Sequence, residues 1–274
     1  MGRSKKLQFG VIGNPISHSK SPQIHQQFAK QFNIELEYHA IRAEANRFVE
    51  TVEEFRSHQG LGLNVTVPFK LDAFDFADNR SERARLAGAV NTLKFVEAEP
   101  VFGDNTDGTG LYRDLVLNWN CTIASKRLLV LGAGGAVRGV LAALLEDQPQ
   151  CVLIANRTEV KAIELAQLFV NYGDVAGCGY DSLNSQQFDV VINGTAASLQ
   201  GEVPPLPKTL FAKDALAYDM MYANRPTAFM RWAAEQGANQ VVDGTGMLVE
   251  QAAESFFVWH GVRPKTAPVI QTLR

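Results

Sequence analysis

Long apolar runs are missing from this chain, and none approaches the roughly 20 residues a helix needs to cross a bilayer. Charge of one sign is missing too. Lys and Arg number 26 against 29 Asp and Glu, the net charge is -3, and neither end carries a long charged tail. Nucleic acid, which needs a basic face, is therefore excluded as the main partner. Cysteine is scarce: Cys121, Cys151 and Cys178 stand far apart, with no C-x-x-C and no Cys/His cluster. That pattern excludes a structural zinc site and a disulfide framework, and suits a reducing cytoplasm. Met1–Lys6 is basic, but no apolar signal core follows. Gly2 does not open a myristoylation motif, because Lys6 occupies the position that needs Ser or Thr. What remains is ordinary globular composition, 46% hydrophobic over 274 residues, enough for about two domains.

The most informative stretch runs from Leu128 to Thr158. An apolar run, Leu128–Leu131, feeds the turn Gly132-Ala133-Gly134-Gly135-Ala136. A helical segment follows, and a second apolar run from Cys151 ends at Asn156-Arg157-Thr158. This is a βαβ unit shaped for a dinucleotide. Val137 stands where the fingerprint has its third glycine, so Gly135 and Ala136 must give the close helix approach. NAD sites place an acid after the second strand for the ribose 2′-hydroxyl, whereas a 2′-phosphate needs positive charge. Here Arg157 takes that place and the first acid is Glu159, which points to NADP(H) and to hydride transfer.

Apolar runs and helical patterns alternate before this unit. Leu7–Gly13, Leu36–Ile41 and Leu61–Val67 read as strands, the last stopped by Pro68. Ser21-Pro22 reads as an N-cap and first helical proline, with Ile24, Phe28 and Phe32 continuing the helix. Ala45–Ser57, Ser81–Ala87 and Gly108–Asn118 read as helices, and Val90–Phe95 with Val101–Gly103 as a strand pair. After the βαβ unit come apolar runs at Val175–Cys178, Val190–Asn193 and Leu216–Met220, then Gln240–Asp243 and a helix over Met247–Trp259. The fold class is α/β, as two α/β domains with a cleft between them.

Polar residues gather where strands should end. Lys70 follows the Asn64–Val67 strand end, and Asn105-Thr106-Asp107-Gly108 supplies a carboxylate beside a glycine. A dehydrogenase must move a hydroxyl proton as the hydride moves, and lysine can do this when burial lowers its pKa; a carboxylate opposes that shift but orients the amine. A solvated surface lysine is the plainer alternative; the company of Asn64, Thr66, Asn91, Asn105 and Asp107 argues against it. Ser17, Ser19 and Ser21 lie in the loop Gly13–Pro22, before a helix N-terminus that favours anions. His18 and His25 have no nearby acid in sequence to fix a tautomer and are not taken as bases.

The ordered set of Gly13–Pro22, Asn64–Lys70, Ala89–Thr92, Gly103–Gly108, Gly132–Ala136, Asn156–Thr158 and Gly244–Gln251 resembles the shikimate dehydrogenase family over nearly the whole chain. The resemblance implies NADPH-dependent, reversible reduction of 3-dehydroshikimate to shikimate, with Lys70 and Asp107 as the catalytic pair. It implies that Ser17 and Ser19 bind the substrate carboxylate, and that Asn64, Thr66, Asn91, Tyr222 and Gln251 contact its hydroxyls or ring. Gly132, Ala133, Gly134, Gly135 and Ala136 would cradle the pyrophosphate; Asn156, Arg157, Thr158 and Lys161 would surround the 2′-phosphate. Thr195, Met220, Gly244 and Met247 would line the nicotinamide end. The implied domains are 1–106 plus 244–274 for substrate, and 107–243 as a Rossmann-type NADP domain. Lys161 stands where many relatives have arginine, Gln26 and Asp243 where they have asparagine. A quinate/shikimate dehydrogenase of dual NAD/NADP use and a non-catalytic NADP sensor are the competing readings. The implied partner is the small-molecule substrate, without nucleic acid or membrane; a homodimer stays open.

Overall fold

The computed structural model describes residues 6–274, and the basic start with Gly2 lies outside the described residues apart from Lys6. The chain divides into two compact units. One takes the residues up to Gly110 with Val249–Leu273; the other takes Leu111–Leu248 with Arg274.

The first unit runs β1 (Leu7–Gly13), α1 (Ser21–Gln31), β2 (Leu36–Arg42), α2 (Phe48–Ser57), β3 (Gly60–Val65), α3 (Lys70–Phe76), β4 (Asn79–Arg80), α4 (Glu82–Ala87), β5 (Thr92–Lys94) and β6 (Phe102–Asp104). α5 (Asp107–Arg113) passes into a π-helical turn over Asp114–Asn118 and carries the chain into the second unit. There follow β7 (Arg127–Leu131), α6 (Gly135–Glu146), β8 (Cys151–Ala155), α7 (Glu159–Gln167), β9 (Val175–Cys178), β10 (Phe188–Asn193), β11 (Phe211–Asp219), α8 (Ala228–Glu235) and β12 (Gln240–Val242). α9 (Thr245–His260) returns the chain to the first unit, and α10 (Ala267–Leu273) follows.

The second unit's sheet has the order β12-β11-β10-β7-β8-β9, with every pairing parallel. Counted within the unit this is 3-2-1-4-5-6, the doubly wound order, whose ligand crevice lies where the order reverses, between β7 and β10. Such strands are covered on both faces, which explains why Leu128–Leu131 and Val190–Ile192 are unbroken apolar runs at 0–2% exposure. Asp114 is buried beside them and accepts from Tyr218 Oη at 2.6 Å and Asn118 Nδ2 at 2.9 Å. A Cβ on Gly246 would fall on the Asp114 carboxylate, so only glycine lets the first turn of α9 pass.

The first unit's sheet is mixed, in the order β2-β1-β3-β5-β6-β4, with β5 antiparallel to both neighbours. α1 starts one residue before the sequence reading. Ile24 N–H already bonds the Lys20 carbonyl at 3.0 Å, so Ser21 lies inside the helix and does not cap it. Ser19 Oγ instead accepts the Ser21 N–H at 3.3 Å. α9 buries Val249, Ala252, Ala253 and Phe256, a helical stripe that packs into this unit.

That packing includes an aromatic stack. His25 lies flat against Tyr38, ring centroids 4.4 Å apart, with Phe28, Phe256 and Trp259 around it. Among the described residues neither ring nitrogen has a hydrogen-bond partner. Burial first, and the nearby His260 second, push the His25 pKa down to about 3, with Asn64 opposing. Folded and unfolded chains are both neutral there above pH 6.5. As pH falls, the unfolded chain takes a proton that the folded protein refuses, so stability is lost from pH 6.5 downward. The cost by pH 5 is about 2 kcal/mol, at about 1.4 kcal/mol per pH unit. His25→Phe is expected to lose about 2 kcal/mol less than the wild type between pH 7 and pH 5, read from urea midpoints. Equal losses would show that His25 does not carry this dependence.

Candidate active site

The first unit collects a polar cluster at the C-terminal ends of β1 and β3. β3 ends at Val65, and Thr66 N–H is tied to the Ile12 carbonyl at 3.0 Å. A tight turn through Pro68 then starts α3, whose first residue is Lys70. Asp107 is likewise the first residue of α5, where a carboxylate is favoured by the helix dipole. The two meet: Lys70 Nζ donates to Asp107 Oδ2 at 2.5 Å. The lysine side chain is 30% exposed and the carboxylate 14%, so the pair is sheltered yet reachable from solvent.

Asp107 is held on its other side by Asn91, whose Nδ2 donates to Oδ1 at 2.8 Å. Asn91 is oriented in turn, because its Oδ1 accepts from Thr106 N–H at 2.9 Å and Thr92 Oγ1 at 2.8 Å. The network continues through Ser255, which lies within 3.3 Å of Thr106 Oγ1 and 2.7 Å of Thr92 Oγ1. Asn64 Nδ2 donates to Ser255 Oγ at 2.9 Å, and Tyr38 Oη donates to Asn64 Oδ1 at 2.7 Å. Gln251 Oε1 accepts from Thr106 Oγ1 at 3.5 Å. Lys70, Asp107, Asn91, Asn64 and Gln251 are therefore parts of one hydrogen-bonded array, with Thr66 at its β3 end. Tyr38, Thr92 and Ser255 complete it and were not singled out from sequence. Ser255 follows Gln251 by one helical turn, but nothing in the sequence pairs it with Asn64.

Ser17 and Ser19 occupy the β1–α1 loop and are not bonded to this array. Ser17 is exposed; Ser19 is half-buried and uses a lone pair on Ser21 N–H. Among the described residues neither hydroxyl donates to an acceptor.

The remaining residues singled out from sequence lie in the second unit. Gly132 has a φ of +104°, which favours glycine, and its Cβ position is 3.3 Å from Thr195 Cγ2. Gly134 and Gly135 are different: a Cβ on either would meet nothing within 4 Å. The protein's own packing does not require glycine at these two positions. Together with Ala136 they are exposed at the start of α6, which has no acidic residue in its first turn and no side-chain cap. The unsatisfied N–H groups of that helix end suit a pyrophosphate, and the missing side chains let it approach. At the end of β8, Asn156 Nδ2 donates to the Thr158 carbonyl at 2.9 Å. Arg157, Thr158 and Lys161 are exposed. Glu159 accepts the Gly179 N–H at 3.3 Å, and Arg157 and Lys161 supply positive charge at that corner. A dinucleotide carrying a 2′-phosphate fits this donor set.

At the switch point, the Cβ position of Gly194 is 3.1 Å from Met220 Sδ, and Gly244 packs on the Met220 carbonyl. Gly132, Thr195, Met220 and Gly244 thus share one patch, with Met247 buried in the first turn of α9. Tyr222 follows β11 and is 43% exposed.

Three family models match parts of the chain. "Shikimate dehydrogenase substrate binding domain" covers residues 11–93, "Shikimate / quinate 5-dehydrogenase" 115–200 and "Shikimate 5'-dehydrogenase C-terminal domain" 244–274. The chain is 54% identical to the shikimate dehydrogenase (NADP(+)) of Nitrosospira multiformis, over 97% of this chain and 96% of that one. Among solved structures, an Ael1 enzyme from Pseudomonas putida is similar with a TM-score of 0.92 and 46% identity, over 98% of both chains. The shikimate 5-dehydrogenase of Thermus thermophilus, solved with NADP(H) and shikimate, has a TM-score of 0.85 at 32% identity, over 97% of each chain. With a doubly wound unit, a paired lysine and aspartate, and a relative this similar over nearly its full length, the chain belongs to the shikimate dehydrogenase family.

Proposed function

We propose that this protein reduces 3-dehydroshikimate to shikimate, reversibly, with NADPH. The observation that carries the reading is the Lys70–Asp107 contact inside the Asn91–Thr106 array. The substrate role falls to the discontinuous part of the chain, 1–106 plus 244–274, and the cofactor role to 107–243. A reducing cytoplasm suits the free Cys121, Cys151 and Cys178.

When bound, NADPH supplies the hydride. The chain supplies the proton and the alignment. Lys70 Nζ carries three N–H groups, and Asp107 takes one of them. Another is donated to the ketone oxygen, and its proton passes to that oxygen as the carbinol forms. In the oxidation direction the unprotonated amine takes the hydroxyl proton back. Asp107, anchored by Asn91, aims the amine. Ser17 and Ser19 donate their free hydroxyl protons to the substrate carboxylate, which fixes which ring carbon receives the hydride. Asn64, Thr66, Asn91, Tyr222 and Gln251 contact the ring and its hydroxyls. Gly132–Ala136 receive the pyrophosphate; Asn156, Arg157, Thr158 and Lys161 receive the 2′-phosphate. Thr195, Met220, Gly244 and Met247 line the nicotinamide end.

NADPH dideuterated at nicotinamide C4, incubated with the protein and 3-dehydroshikimate, is expected to yield shikimate bearing one deuterium on the new carbinol carbon. Shikimate without deuterium, or no product, would overturn the reading. Arg157→Ala is expected to raise KM for NADPH by about 10- to 100-fold, the worth of a charge-assisted contact, and to leave KM for NADH nearly unchanged. Equal changes for both cofactors would remove Arg157 from the 2′-phosphate.

A further inference from the structure

We propose that Asp219 is a positioning residue for the nicotinamide, acting through Asn193 on Thr195 and through the adjoining backbone on Met220. The proposal rests on the reading of the second unit as the NADP-binding one.

Asp219 is the last residue of β11, and in the sheet register it lies beside Asn193, the last residue of β10. Both therefore stand at the C-terminal edge of the parallel sheet, next to the β7–β10 switch point. Asp219 and Asn193 are both fully buried. The Asp219 carboxylate forms no ion pair among the described residues, yet all its acceptor capacity is used. Oδ1 accepts from Asn193 Nδ2 at 3.1 Å and from Met221 N–H at 3.1 Å. Oδ2 accepts from Ser198 Oγ at 2.7 Å and from Thr227 Oγ1 at 2.6 Å. Four donors converging from four segments require an acceptor-only group, and a carboxylate is the side chain that supplies one.

The consequence reaches Thr195. Because Asn193 gives its amide hydrogens to Asp219 and to Ser198 Oγ, its Oδ1 must face the other way. There it accepts Thr195 N–H at 3.1 Å and Thr195 Oγ1 at 2.7 Å. The Thr195 hydroxyl is thereby locked, and its methyl group rests 3.3 Å from the Cβ position of Gly132. On the other side, Met220 N–H bonds the Asn193 carbonyl at 2.9 Å, and Met220 lies between Asp219 and Met221, both held by this carboxylate hub. One buried group thus sets the loops after β10 and after β11 together, and these are the loops that carry Thr195 and Met220.

A purely structural staple would stabilise the unit without distinguishing one end of the cofactor from the other. The test uses two probes of the purified full-length protein by calorimetry: NADPH, and adenosine 2′,5′-bisphosphate, which lacks the nicotinamide. Asp219→Asn places an amide N–H₂ against donors and disorders the hub. It is expected to weaken NADPH by about tenfold or more, the scale of a misplaced binding group, with adenosine 2′,5′-bisphosphate within about twofold of wild type. Ser198→Ala removes one donor to Asp219 and one acceptor of Asn193 and keeps the charge; it serves where Asp219→Asn does not fold, and is expected to weaken NADPH selectively by about threefold. Unchanged NADPH affinity, or equal loss on both probes in a folded variant, overturns the role of Asp219. Failure of the wild type to bind adenosine 2′,5′-bisphosphate overturns the NADP reading itself, and this proposal with it.

Discussion

Lys70→Ala is expected to lower kcat for shikimate oxidation by about 10²- to 10⁴-fold, the usual worth of a positioned proton-transfer group, with little change in KM. The reason lies in what the amine does at each stage. On the proposed mechanism the amine is, in the ground state, one of several polar groups around the substrate, and Ser17, Ser19 and Gln251 would remain to hold the ligand. In the transition state of that mechanism it is the group that exchanges a proton with the reacting oxygen. Lys70→Arg keeps the charge but not the function, because a guanidinium stays protonated and cannot accept the proton. Asp107→Asn keeps the shape and loses the charge that aims the amine, so its loss falls between wild type and Lys70→Ala. Steady-state kinetics with saturating NADP check all three. Unchanged kcat in Lys70→Ala removes the lysine from proton transfer.

Arg83→Leu is expected to destabilise the protein by about 3–5 kcal/mol, the cost of stripping the partner from a buried charge. Asp104 is 2% exposed and accepts two bonds from Arg83, Nε at 2.7 Å and Nη2 at 2.5 Å. Arg83 Nη1 also reaches Glu254 at 3.0 Å and Thr109 at 2.8 Å, so one guanidinium joins β6, α5 and α9. Burial opposes ionisation of Asp104, but the Arg83 bonds and charge, helped by Ser81 and the Asn105 N–H, outweigh it and hold the carboxyl below its ordinary 3.8. In the wild type this stability is present above about pH 4 and is lost as pH falls through the lowered folded value. In Arg83→Leu the sign reverses, because acid would neutralise a carboxylate left unpaired. Urea titrations at pH 7 and pH 5 read both effects. Adding Asp104→Asn to Arg83→Leu is expected to restore part of the loss. A loss below about 1 kcal/mol, as for a surface pair, would contradict the network's weight. The effect bears on the site as well, since Asp104 Oδ1 accepts the N–H of Asn105, two residues before Asp107.

The parts legible in the sequence were those with local signatures. β7 and β10 are buried on both faces, so their runs are continuous, and the Gly132 turn follows at once. Lys70 and Asp107 stood out because each follows a strand end, though they are 37 residues apart. α3 was not legible, because Pro68 reads as the end of a strand and the helix after it is only seven residues long. α8 and α10 are also short, and α10 follows Pro264, which reads as the start of a tail. Tyr38 and Ser255 were hidden for a different reason. Ser255 meets Asn64 across 191 residues of chain, and such pairings leave no periodic trace. The hub at Asp219 is of the same kind: Asn193, Ser198 and Thr227 converge only when the parallel strands are in register.

Absorbance at the reduced-nicotinamide band, with purified protein, tests the assignment most directly. Shikimate and quinate are each offered with NADP and with NAD. A rise for shikimate with NADP, and little for the other three pairs, is the predicted result. A comparable rise with NAD or with quinate contradicts the reading of Arg157 and the narrow substrate. No rise with any pair, while NADPH still binds, contradicts catalysis and leaves an NADP sensor.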